Sequence, residues 1–305
     1  MKSLRELYQI GCGPSSSHTM APQKIALFLK EKYPNAKFRI RLYGSLAYTG
    51  KGHGTDTVLK KVLGENTEVV FDHDKKDIPH PNTLDAEVIE GNTVVACRRA
   101  YSLGGGAFRI EGEPEDTSPQ VYGCASFSQI KQYCMENDIR LSDYVFRTEP
   151  DIEDYLETVW DRMVDAIKRG LNAEGVLPGG LEVQRKAKFL YSQRHIDESP
   201  ETRENRMVCS YAFAVAEENA AGGVIVTAPT CGSSGVLPAV FYYVHKTRNV
   251  SKEAILRGLA VAGLIGNIIK TNASVSGAEC GCQAEIGSAC AMAAGGLAEM
   301  FELGY

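Results

Sequence analysis

The apolar residues of this chain change their spacing partway along it. Over "KFRIRL", Phe38, Ile40 and Leu42 alternate with Lys37, Arg39 and Arg41, the period of a strand with one dry face and one wet one. Beyond Asp151 the apolar positions are Ile152, Leu156, Val159, Trp160, Met163, Val164 and Ile167, the stripe of an amphipathic helix. A chain that switches period in this way is expected to divide into an N-terminal α+β domain and a C-terminal all-α domain. The charged stretch "NDIRLSDYVFRTEPDIED" carries Pro150 and no clear period. The boundary is placed there, giving domains of 1–150 and 151–305.

Within the first part, "AEVIEGNTVVACRRAYS" reads as a hairpin around Gly91 and Asn92. It leads through Gly104, Gly105 and Gly106 into a short strand, "AFRIEG", and "SFSQIKQYCMEND" reads as a helix. Further helices are expected at 203–220, 234–246, 252–270 and 284–303. The last is rich in Ala, Gly and Ser, residues that let helices approach closely, so a central place in a bundle is expected for it.

The chain has 305 residues, with 44% apolar and 23% charged, as in an ordinary globular enzyme. A net charge of −5 argues against nucleic acid or an anionic membrane as the main partner. The apolar stretch "AILRGLAVAGLIGNIIK" is interrupted by Arg257 and Asn267, so no membrane span is expected. "MKSLRELYQI" has charges where a signal peptide needs apolar residues, and a cytoplasmic location follows as an expectation. Nine cysteines without a leader speak against a disulfide framework.

Four stretches carry chemistry. In "GPSSSHT", Pro14 stiffens a turn, and a hydroxyl among 15–19 can cap the following helix. The free N–H groups there, with Ser15, Ser16, Ser17, His18 and Thr19, either make an ordinary capped helix or hold a small carboxylate or phosphate. "GSLAYTGKGHGTDT" (44–57) sets four glycines around Ser45, Thr49, Lys51, His53, Thr55 and Asp56. It is either a solvated loop or a second wall of an anion or amino-acid site. In "TAPTCGSSGVLPAVFYY", Cys231 precedes a helix start and is either a reactive thiol or metal ligand, or part of a plain helix entry. In "NASVSGAECGCQAEIGSAC", Cys280, Cys282 and Cys290 are soft ligands of unfamiliar spacing, open to a metal reading or to that of buried thiols.

Taken together, these stretches resemble the iron–sulfur-dependent L-serine ammonia-lyases (L-serine dehydratases) of single-chain form. The resemblance rests on "GPSSSHTMAP", "GSLAYTGKGHGTD", "LPGGLEVQRKA", "YAFAVAEENAAGG", "TAPTCGSSGVLPAV" and "SGAECGCQAEIGSACAMAA", in family order along essentially the whole chain. It implies conversion of L-serine to pyruvate and ammonia without pyridoxal phosphate, as part of amino-acid catabolism and gluconeogenesis. It also implies an N-terminal domain similar to a substrate-binding regulatory domain known from a phosphoglycerate dehydrogenase. The implied C-terminal domain is helical and holds a [4Fe–4S] cluster, one iron acting as Lewis acid. A homodimer is the family expectation. The resemblance gives His53 as general base, with His18, Ser15, Ser16, Ser17 and Thr19 holding substrate and Lys51 neutralising its carboxylate.

One departure stands out. The family's first cluster cysteine lies in "GCQ", here Cys282, while its other two lie in a downstream segment this chain lacks. The helical domain is therefore expected to be incomplete. Three readings follow. The chain is a truncated lyase, or it completes a cluster on Cys282 with Cys231, Cys280 or Cys290, or it is an inactive module that binds serine. Rival classes are a pyridoxal-phosphate dehydratase, for which no lysine stands out, a serine sensor and a structural zinc protein.

Overall fold

A computed structural model describes residues 1–114, 119–275 and 277–304. The chain forms two compact units, one of Cys12–Thr117 and one that joins Met1–Gly11 to Ser118–Tyr305. Mixed α/β structure in the first and helices in the second follow the change of period.

A short strand, β1 (Ile10–Cys12), precedes the α/β unit, whose first helix is α1 (Ala21–Lys32). Pro22 sits in the opening turn of α1, where its missing N–H costs no helical bond. Then come β2 (Lys37–Leu42), α2 (Gly44–Thr49), α3 (Thr55–Leu63), β3 (Glu68–Phe71), β4 (Thr83–Glu90), β5 (Thr93–Gly104) and β6 (Ala107–Ile110). The sheet order is β3-β2-β4-β5-β6, with β2 parallel to β3 and the other pairs antiparallel. The expected hairpin is β4–β5, closing with Glu90 opposite Thr93.

Alternation in β2 decides which face of the sheet is dry. Phe38, Ile40 and Leu42 are buried with Leu84, Ala86 and Val88 of β4, and Ile25, Ala26 and Leu29 of α1 and Leu59 and Leu63 of α3 complete that core. Each fully buried Leu or Ile contributes about 1.5–3 kcal/mol. The other face carries crossed charges: Arg39 pairs with Glu68 and Glu87, and Arg99 makes a two-pronged contact with Asp85. Opposite charges on neighbouring strands stabilise the register.

The second unit contains α4 (Phe127–Glu136), α5 (Leu141–Thr148), α6 (Ile152–Asn172), α7 (Ala187–Ser192), α8 (Pro200–Ala220), β7 (Val224–Val226), α9 (Val236–Arg248), α10 (Lys252–Asn272), α11 (Gly277–Cys280) and α12 (Cys282–Met300). It is not purely helical, because β1 and β7 form a two-stranded sheet. Helix α4 begins at a capping box in which Ser126 and Gln129 satisfy each other's backbone N–H groups. Helix α5 occupies the stretch in which no period was evident. It buries Leu141, Tyr144 and Val145, while Arg140 binds buried Glu299 of α12 and Asp143 binds Arg257 of α10. Those tertiary ion pairs account for its charge.

Helix α10 is long and apolar enough to cross a membrane by composition alone. Here it is a core helix, with Ile255, Leu259, Ala260, Ala262 and Leu264 buried, and α12 lies along it. At their crossing, a Cβ on Gly296 would come within 2.7 Å of the Gly258 carbonyl oxygen. The small residues of α12 serve this close approach.

Candidate active site

In the α/β unit, residues Ser16–Met20 form one wide π-helical turn that runs into α1. Ser15 caps it, its hydroxyl accepting from the His18 N–H at 3.1 Å. The second polar loop folds back beside this turn. Gly44 enters it at φ +52, and a Cβ there would lie 2.4 Å from the Pro81 carbonyl oxygen. Only glycine tolerates both conditions. Gly54, at φ +65, turns the chain into α3.

These turns bring the two histidines together, with ring centroids 4.8 Å apart. Both nitrogens of His18 are engaged. Nδ1 lies 2.8 Å from the Ser17 hydroxyl, and Nε2 lies 3.0 Å from the Ser45 hydroxyl. Burial, then the neighbouring His53, pull the His18 imidazole down to about 4, so it is neutral at pH 7. A Ser45–His18 pair at this distance could suggest an activated serine, but a group titrating near 4 is a poor proton acceptor at neutral pH.

His53 is different. Its Nδ1 lies 2.8 Å from the Thr49 carbonyl oxygen, which can only accept. Nδ1 therefore carries the proton, and in the neutral ring Nε2 keeps its lone pair. His53 is half-buried, and it has the chemistry of a general base.

The expected substrate-binding residues divide. Ser15 and Ser17 are half-buried, with hydroxyls 3.4 Å apart beside His18. Ser16 is buried. Thr19 turns inward, contrary to expectation: its buried hydroxyl donates to the His53 carbonyl at 2.9 Å and accepts from the Ser15 N–H at 3.3 Å. The Lys51 ammonium is exposed and pairs with Asp56. Ser45 and Thr55 were not singled out from the second polar cluster. Their hydroxyls reach His18 Nε2 and, at 2.6 Å, the His18 carbonyl oxygen. The only sequence sign of either was membership of a glycine-spaced polar run.

The four cysteines considered as ligands lie in the helical unit. Cys280 and Cys282 are exposed on either side of Gly281, at the junction of α11 and α12. Cys290 is exposed eight residues further along α12, about 12 Å up its axis at 1.5 Å per residue. It does not share a centre with Cys282. Cys231 is buried in the 227–235 loop. That loop is tied to α12 by Glu285, whose carboxylate accepts from the Thr230 hydroxyl at 2.8 Å. Among the described residues, no three His, Cys, Asp or Glu side chains gather to hold a metal. A three-cysteine cluster therefore does not fit the described residues.

Comparison with known proteins gives two family models. One described as serine dehydratase beta chain matches residues 3–68, and one described as serine dehydratase alpha chain matches 65–305. L-serine dehydratase 1 of Escherichia coli is 36% identical over 360 residues, covering 98% of this chain and 79% of that protein. The L-serine dehydratase of Streptomyces coelicolor is 35% identical, covering 98% of this chain and 78% of its own. That of Helicobacter pylori is 32% identical, with the same coverage of each. The first of these alignments is longer than the 305-residue chain, so the relative carries stretches within the matched span that this chain lacks.

Proposed function

This chain belongs to the serine dehydratase family, and from that premise we propose that it is a lyase converting L-serine to pyruvate and ammonia. The observation that carries the reading is the fixed tautomer of His53, with Nδ1 held by the Thr49 carbonyl and Nε2 left as a base. In the proposed reaction, Nε2 takes the α-proton of serine, the protonated ring gives that proton to the departing β-hydroxyl, which leaves as water, and aminoacrylate forms with His53 neutral again. Its tautomer, the imine, adds water and releases ammonia, leaving pyruvate. Ser15 and Ser17 offer hydroxyls to the substrate carboxylate, and neutral His18 holds those hydroxyls in place without competing for the proton.

A [4Fe–4S] cluster on Cys282 rests on the family resemblance alone. A soluble, cytoplasmic homodimer is part of the same reading. The test is anaerobic incubation with L-serine after treatment with iron and sulfide, with pyruvate as the readout. Pyruvate formation supports the reading. A second reading is favoured by the lack of an assembled ligand set among the described residues: a module that binds serine without turning it over. Calorimetric binding of serine with no pyruvate would establish that alternative.

A further inference from the structure

The two histidine-bearing loops are joined by a pair of crossed hydrogen bonds that do not involve the rings. The Thr19 hydroxyl, on the first loop, donates to the backbone carbonyl of His53 at 2.9 Å. The Thr55 hydroxyl, on the second, donates to the backbone carbonyl of His18 at 2.6 Å. Each threonine holds the main chain of the other loop's histidine at the residue that carries the ring. We propose that Thr19 and Thr55 form a reciprocal clasp, and that they are positioning residues which set the separation and tilt of His18 and His53.

Three features support this. Thr19 and Thr55 are 4% and 0% exposed, so solvent cannot readily replace either hydroxyl. The Thr19 hydroxyl also accepts from the Ser15 N–H, so one atom links the serine that caps the first loop to the backbone of the base. Space around the clasp is tight: a Cβ on Gly50 would approach the Thr55 hydroxyl to 2.9 Å. The same Cβ would lie 2.1 Å from the Leu46 carbonyl oxygen, so a side chain in place of Gly50 would displace the end of α2 as well as crowd the Thr55 strap. The assignment rests on the reading of His53 as base, but the clasp itself can be measured without turnover.

The test uses the full chain labelled with 15N-histidine, which gives six imidazoles to follow by NMR. Thr19→Val and Thr55→Val keep the shape and delete the hydroxyl, while Thr19→Ser and Thr55→Ser keep the hydroxyl. In the valine variants the His18 midpoint is expected to rise by about one pH unit or more, as the rings separate and water enters. Both serine variants are expected to restore the wild-type midpoint. With L-serine, Thr19→Val, which frees the backbone of His53, is expected to lose about tenfold or more in kcat, because misplacement of the base falls on the chemical step, whereas Thr55→Val, which frees that of His18, is expected to act mainly through KM. An unchanged His18 midpoint in the valine variants overturns the clasp, whatever the activity. Serine variants that behave like valine variants overturn it too. If one valine variant fails to fold, the other reports on the same clasp from the opposite loop. A shifted midpoint in a chain whose wild type makes no pyruvate upholds the clasp and overturns the lyase reading instead.

Discussion

The imidazole rings of His18 and His53 stand 4.8 Å apart, tilted by 38°, yet only one has a nitrogen to spare. His18 spends both of its nitrogens on serine hydroxyls, whereas His53 spends one on a carbonyl. Two rings of the same chemistry are thereby given different work. Replacing His53 by Gln should lower kcat by about a hundredfold or more, the usual contribution of a general base. His18→Gln should act mainly through KM, since its ring orders the hydroxyls of Ser15 and Ser17. Steady-state pyruvate formation by the two variants checks the division.

His18 also makes stability depend on pH. Burial and the neighbouring His53 hold its folded midpoint at about 4, below the ordinary imidazole value of 6.5, so between these values the unfolded chain binds a proton that the folded chain refuses. Stability is therefore full above pH 6.5, falls as pH drops towards 4, and loses no more to this group below that. Roughly 3 kcal/mol is at stake across the window. Urea midpoints measured from pH 7 to pH 4 should show the loss, and His18→Gln should remove that part of the slope.

Glu299 is buried where three elements meet. It accepts from Arg140 and from the Ser142 hydroxyl, which is itself 3.0 Å from Arg257. Glu299→Ala would strip the partner from the half-exposed Arg140 and from buried Ser142, at a cost of about 2 kcal/mol. Denaturant unfolding of the variant reads this directly.

The Thr230–Glu285 bond holds the Cys231 loop against the first turn of α12, and Cys231 is 1% exposed. Glu285→Ala should loosen that loop and expose the thiol by local opening. Maleimide labelling of Cys231, followed by peptide mass analysis, should then speed up about tenfold, as the open state gains about 1.4 kcal/mol. Labelling of the exposed Cys282 serves as the internal reference.

Much of this molecule was legible because hydrophobic pattern governs it. The alternation in 37–42 fixed the dry face of the sheet, and the stripe from Ile152 to Ile167 foretold α6. The helix at Leu141–Thr148 was not legible. Its charged residues look like a linker until Glu299 and Arg257, distant in sequence, are seen to bind them. At the site, His18 and His53 stood out by residue type. The inward turn of Thr19, the Lys51–Asp56 pair and the roles of Ser45 and Thr55 depend on how two loops cross, which spacing along the chain does not encode. The cysteines divide in the same way: helical rise separates Cys290 from Cys282, although in sequence the two seem neighbours.

The central claim is that Nε2 of His53 takes the α-proton of L-serine. The most direct test is pyruvate formation by wild type and His53→Gln side by side, anaerobically and after treatment with iron and sulfide, with serine binding measured by calorimetry on the same samples. The account predicts that wild type makes pyruvate and that the variant binds serine but turns it over about a hundredfold more slowly. A variant that keeps the wild-type rate would contradict it.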